Sequence, residues 1–140
     1  MVKKYFFILL AVFTLANVSF AGSRWELGGG GDFMPGPMLL YPATDHITIA
    51  SGGSLEFRWE KTNEITTDHY IFKLYKGYST YDSTLILKKE ISRDDEYPFK
   101  LPAGQFEDGQ VYTWVLTQVF TSGKKSDKSS VAFKIHLTNP

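Results

Sequence analysis

The clearest signal along the chain lies at Ser54–Glu60, where Leu55, Phe57 and Trp59 fall on one parity and Glu56, Arg58 and Glu60 on the other. Extended backbone sends alternate side chains to opposite faces, so this stretch predicts a strand with one face for a core and one for water. Later stretches repeat the alternation. In Asp68–Lys76, Tyr70, Phe72 and Leu74 share a parity, with Ile71, Lys73 and Tyr75 on a mixed opposite face. In Thr84–Ile91 the register is less clear, because Leu85 and Leu87 compete with Ile86 for the buried side. Val111–Thr121 predicts the longest strand, with Tyr112, Trp114, Leu116 and Phe120 inward and β-branched Val111, Thr113, Val115, Thr117 and Val119 outward. Val131–Leu137 gathers Val131, Phe133, Ile135 and Leu137 on one side.

Shorter runs complete the pattern. Met38–Tyr41 sits between Pro37 and Pro42, and a residue that cannot donate to a ladder suits a sheet edge, so this run predicts a first edge strand. Ile47–Ile49 reads as its short continuation, and Tyr97–Leu101 as a strand whose Pro98 implies an edge or a bulge. No helical periodicity of useful length is present. About seven short strands separated by turn residues predict an all-β fold of two antiparallel sheets packed face to face.

The start of the chain has a different character. Lys3 and Lys4 precede an apolar run from Tyr5 to Ala16, and the small residues Ser19 and Ala21 follow. This arrangement predicts a secretory signal peptide over residues 1–21, cut after Ala21, in a run too short for a bilayer span. Residues 22–36 include four consecutive glycines, Gly28–Gly31, which cost too much backbone entropy for a regular element. They predict a Gly-rich leader carrying Trp25, Phe33 and Met34, followed by a single sandwich over residues 37–138.

Composition narrows the function. Removing residues 1–21 takes two lysines and no acids from a chain with 15 basic and 15 acidic side chains, which leaves a mildly acidic body. Such a body has no general field to attract nucleic acid. No cysteine is present, so a secreted or periplasmic domain of this kind must rest on core packing alone. After signal cleavage no further apolar segment of spanning length remains.

Several marks also fall in an order that resembles the fibronectin type III family. They are the proline-flanked first strand Pro37–Pro42, Trp59 in the second strand, Tyr70 early in the third, Leu101 before a turn, and Tyr112 opening the strand after it. The resemblance covers residues 37–138 and implies an immunoglobulin-like β-sandwich in which Tyr112 forms a tyrosine corner. In this chain Pro102–Val111 lengthens the interval between Leu101 and Tyr112.

Reaction chemistry is thin. His46, His69 and His136 lie at no shared ligand spacing, and without cysteine a zinc site would need distant carboxylates. Asp94-Asp95-Glu96 and Glu107-Asp108 lack the spacing of a calcium loop. No serine sits in a nucleophile-elbow sequence. The expectation is a non-catalytic module with neither metal nor cofactor.

Aromatic residues are the remaining candidates for function. Tyr75, Tyr78 and Tyr81 flank or occupy the connection after the third strand, and Trp25, Phe99 and Phe106 have no assured core position. Two roles are open to them: covering the open ends of the sandwich, or forming a binding surface. A binding surface implies a protein partner, with a polysaccharide as the alternative. Self-association through an exposed edge, Met38–Tyr41 or Leu85–Ile91, is a third route.

Overall fold

In a computed structural model describing residues 34–62 and 64–139, the alternation of Ser54–Trp59 does what it predicts: Leu55, Phe57 and Trp59 are buried. The signal-peptide segment and Trp25 lie outside the described residues. Among the described residues the strands are β1 (Leu39–Tyr41), β2 (His46–Ala50), β3 (Ser54–Trp59), β4 (Thr67–Lys76), β5 (Leu85–Ser92), β6 (Phe99–Pro102), β7 (Val111–Phe120) and β8 (Ser129–Thr138). They form a three-stranded sheet in the order β1-β3-β6 and a five-stranded sheet in the order β2-β8-β7-β4-β5.

The inward faces of the two sheets meet through aromatic rings. Phe57 of β3 stands edge-on to Phe72 of β4 at 4.9 Å and to Trp114 of β7 at 5.2 Å. Each such pair adds about 0.5–1.5 kcal/mol to what burial alone supplies. Tyr70, Leu74, Leu116, Phe133 and Ile135 complete the layer. The polar edge of Trp114 is accommodated, because its indole N–H donates to the Pro42 carbonyl at 3.0 Å. Trp59 is different: its indole nitrogen is buried and makes no well-directed hydrogen bond. Its ring leans on Tyr70 at 5.2 Å, and burial raises the Tyr70 hydroxyl pKa against the opposing pull of that indole N–H.

Four details add to or depart from the sequence expectation. First, Ile47–Ile49 does not continue β1. The chain crosses at Pro42–Asp45 to the other sheet, where β2 pairs parallel to β8 with Ile47 opposite Ile135. Splitting one run between two sheets is how sandwich corners are made, and it raises the strand number to eight. Second, β5 places Ile91 in the core and Leu87 against it, while Ile86 is turned outward, so the odd positions face inward. Third, the outward residues Thr113, Val115, Thr117 and Val119 of β7 are themselves buried, whereas Phe120, assigned inward, is only half-buried. β7 is an inner strand, paired with β4 from Tyr112 to Phe120 and with β8 from Val111 to Leu116.

The fourth concerns the stretch just before the sandwich, where Met34–Gly36 fall in the unit Met34–Pro140. The Met34 carbonyl accepts the Asp127 N–H at 2.8 Å. A Cβ at Gly36 would collide with Ser129 Oγ and come within 2.7 Å of the Asp127 carbonyl, so only glycine fits there.

Candidate functional site

The loop between β4 and β5 is fixed at both ends. Gly77 leaves β4 with φ of 86°, donates its N–H to the Val111 carbonyl at 2.7 Å and accepts the Thr113 hydroxyl at 2.7 Å. That left-handed conformation strains any residue with a Cβ, which is the reason for glycine at this position. At the far end the Thr84 N–H donates to the Tyr81 carbonyl at 2.9 Å. Thr84 Oγ1 lies 2.9 Å from both the Ser79 and Tyr81 carbonyls. Between these anchors Tyr78 and Tyr81 stand 76% and 72% exposed.

Tyr78 borders an open groove of about 500 Å³ together with Asp45, His46, Ala132 and Lys134. The parallel pairing of β2 with β8 sets His46 opposite Lys134, and the Lys134 N–H donates to the Asp45 carbonyl at 2.8 Å. The groove therefore lies where the start of β2, the middle of β8 and the β4–β5 loop come together. Asp45, His46 and Lys134 are contributed by the parallel pairing, and no local pattern in the sequence signals it.

The other predicted aromatics are placed differently. Tyr75 is 4% exposed, lying between Thr113 of β7 and Leu85 of β5. Phe99 is 8% exposed, 4.9 Å from the Phe72 ring, with the Lys89 ammonium 5.2 Å from its own centroid. Phe106 is 5% exposed and stands edge-on to Tyr112 at 5.1 Å, closing one end of the core. Phe99 and Phe106 belong to the hydrophobic core cluster and Tyr75, outside that cluster, is likewise buried, so none of the three is exposed as Tyr78 and Tyr81 are. Tyr112 OH accepts the Glu107 N–H at 2.8 Å, so the corner forms across the lengthened loop.

The polar clusters are engaged locally. The Asp95 carboxylate accepts the Ser92 N–H at 2.7 Å, His69 Nδ1 lies 2.7 Å from Asp68, and His136 Nδ1 lies 2.8 Å from Asp108. Among the described residues no group of three or more His, Asp or Glu side chains is arranged to hold a metal ion. No helix among them is long and apolar enough to cross a membrane.

Both predicted edge segments occupy sheet edges: β1 borders the three-stranded sheet and β5 the five-stranded one. They differ in character. Met38 and Leu40 beside and within β1 are exposed, whereas β5 carries Lys88 and Lys89 at its middle. Charged residues on an edge discourage pairing with another strand.

Two sheets with β1, β3 and β6 facing the rest, a buried Trp59 and a tyrosine corner define an immunoglobulin-like, fibronectin type III-like β-sandwich. No protein-family model and no curated protein matches this chain. Among solved structures it is similar to murine CRIg, with 11% identity, a TM-score of 0.50, and coverage of 73% of this chain and 98% of that one. Fibronectin(III)-like modules of Clostridium thermocellum CbhA match with 12% identity and a TM-score of 0.45, over 73% of this chain and 98% of theirs. A β-1,2-glucanase from Parabacteroides distasonis matches with 14% identity and a TM-score of 0.44, over 74% of this chain but 13% of that enzyme. The likeness is one of fold.

Proposed function

We propose that this chain is an exported, non-catalytic interaction module that presents Tyr78 and Tyr81 to another envelope or extracellular protein. The observation that carries this reading is the combination of high exposure and fixed backbone at Gly77–Thr84. Large rings on an ordered loop offer contact area at small entropic cost on binding, and tyrosine is enriched at interface hot spots. The export reading rests on the Lys3–Ala21 pattern. Crosslinking of the mature protein to its neighbours, followed by mass identification, tests the reading. Capture of a defined protein that is lost on Tyr81→Ala supports it, and unchanged capture by the double Tyr78→Ala, Tyr81→Ala variant overturns it.

A second reading, pairing of β1 with a strand of another chain, is favoured by one observation. Met38 and Leu40 are 63% and 50% exposed along an edge that carries no lysine. Light scattering over a range of concentrations tests self-pairing, and a mass that stays monomeric removes it.

A further inference from the structure

The groove beside Tyr78 brings together four side chains of unlike chemistry. Tyr78 supplies an exposed ring, and Asp45, His46 and Lys134 supply exposed polar groups. Among the described residues the side chains of these three form no hydrogen bond or ion pair, so their polar atoms are available to a ligand. Their backbones are nonetheless fixed by the β2–β8 ladder and by the Lys134 N–H to Asp45 carbonyl bond. A groove of about 500 Å³ falls inside the usual range for small-molecule and oligomer sites.

We propose that this groove binds a neutral saccharide, stacked on Tyr78 and hydrogen-bonded by Asp45, His46 and Lys134. The charges decide the class. A phosphate or carboxylate would meet the Asp45 carboxylate, and a cation would meet the Lys134 ammonium. An apolar ligand would strip water from three polar groups and return no hydrogen bonds. A sugar hydroxyl both donates and accepts: it can donate to Asp45, accept from Lys134 and do either with His46. The C–H face of a pyranose ring carries slight positive charge and fits the negative face of the Tyr78 ring. The groove is open, so a ring within a longer chain fits as well as a terminal one. This site shares Tyr78 with the protein contact proposed above, while Asp45, His46 and Lys134 lie outside the tyrosine loop and Tyr81 lies outside the groove.

The test uses the mature protein and a panel of neutral oligosaccharides built from glucose, xylose, mannose and N-acetylglucosamine, with one acidic uronic-acid oligomer for comparison. Binding is read by calorimetry and by retardation in polysaccharide gels, with circular dichroism confirming that each variant is folded. The expected result is millimolar or tighter binding of at least one neutral member, weakened about tenfold by Tyr78→Ala. Asp45→Ala and Lys134→Met should weaken it further, while Tyr81→Ala leaves it intact. No binding across the panel, salt-sensitive binding of the acidic oligomer alone, or saccharide binding indifferent to Tyr78→Ala and Asp45→Ala would each overturn the proposal. Protein capture is followed in parallel with Tyr81→Ala, so that loss of one activity is separable from loss of the other.

Discussion

The Tyr97 hydroxyl accepts the Trp59 N–H at 3.0 Å and donates to the Trp59 carbonyl at 2.7 Å. One side chain thus satisfies both backbone groups of the residue that anchors the core. The reason lies in the ladder: β6 pairs with β3 only as far as Phe57 opposite Phe99, and Pro98 has no N–H with which to extend it. The Tyr97 ring stands edge-on to the Trp59 indole at 5.1 Å, and the Lys61 ammonium lies 5.1 Å from its centroid.

Replacing Tyr97 with phenylalanine keeps the ring and removes both bonds. The expected loss is about 1–3 kcal/mol, since two backbone groups lose their partner. Urea denaturation of the two proteins measures it, and a difference below about 0.5 kcal/mol would show that water serves equally well.

Trp59→Ala should cost about 3–5 kcal/mol by opening a cavity beneath Tyr70 and Tyr97. The same denaturation experiment decides it. A loss under about 1 kcal/mol would mean that the neighbouring rings collapse into the space.

Gly77→Ala meets no steric obstacle, as a Cβ there has nothing within 4 Å, so its cost is conformational alone. About 1–2 kcal/mol is expected from the left-handed φ. Hydrogen exchange at Tyr78–Thr84 should quicken with it, and partner capture should fall.

Asp108 provides the pH dependence. The Leu137 N–H holds its carboxyl below the ordinary value of 3.8, with His136 adding to the effect. A depressed folded-state value means that the contribution is complete above the unfolded value and fades as pH falls through the folded one. Urea midpoints for the native protein and Asp108→Asn should therefore converge below pH 3.8 and separate above it. Curves that stay parallel through that range would refute the assignment.

Lys88 and Lys89 guard the β5 edge, Lys89 turning inward over Phe99. Changing both to valine should give a mass that rises more steeply with concentration than that of the native protein. Light scattering reports it, and an unchanged mass would place the protection elsewhere on the edge.

Much of the sandwich was legible because the strand period acts on neighbours in sequence. Leu55, Phe57 and Trp59, and likewise Tyr70, Phe72 and Leu74, declare their buried face through alternation alone. Tyr78 and Tyr81 were legible as candidates for the same local reason, since they fall in a polar connection. Tyr75, Phe99 and Phe106 were not distinguishable from them. Whether an aromatic residue at the end of a strand is covered depends on residues far away in the chain, such as Phe72, Thr113 and Tyr112.

The sequence by itself determined the alternating faces, the positions of the turns and the absence of any disulfide to hold them. Tertiary structure decided that β2 leaves its predecessor to run parallel to β8, and with that choice the groove of Asp45, His46, Tyr78 and Lys134 came into being. A two-residue period says which side of a strand faces inward, but it carries no information about which strand lies beside it. That is settled by how two twisted sheets close their edges over a shared core.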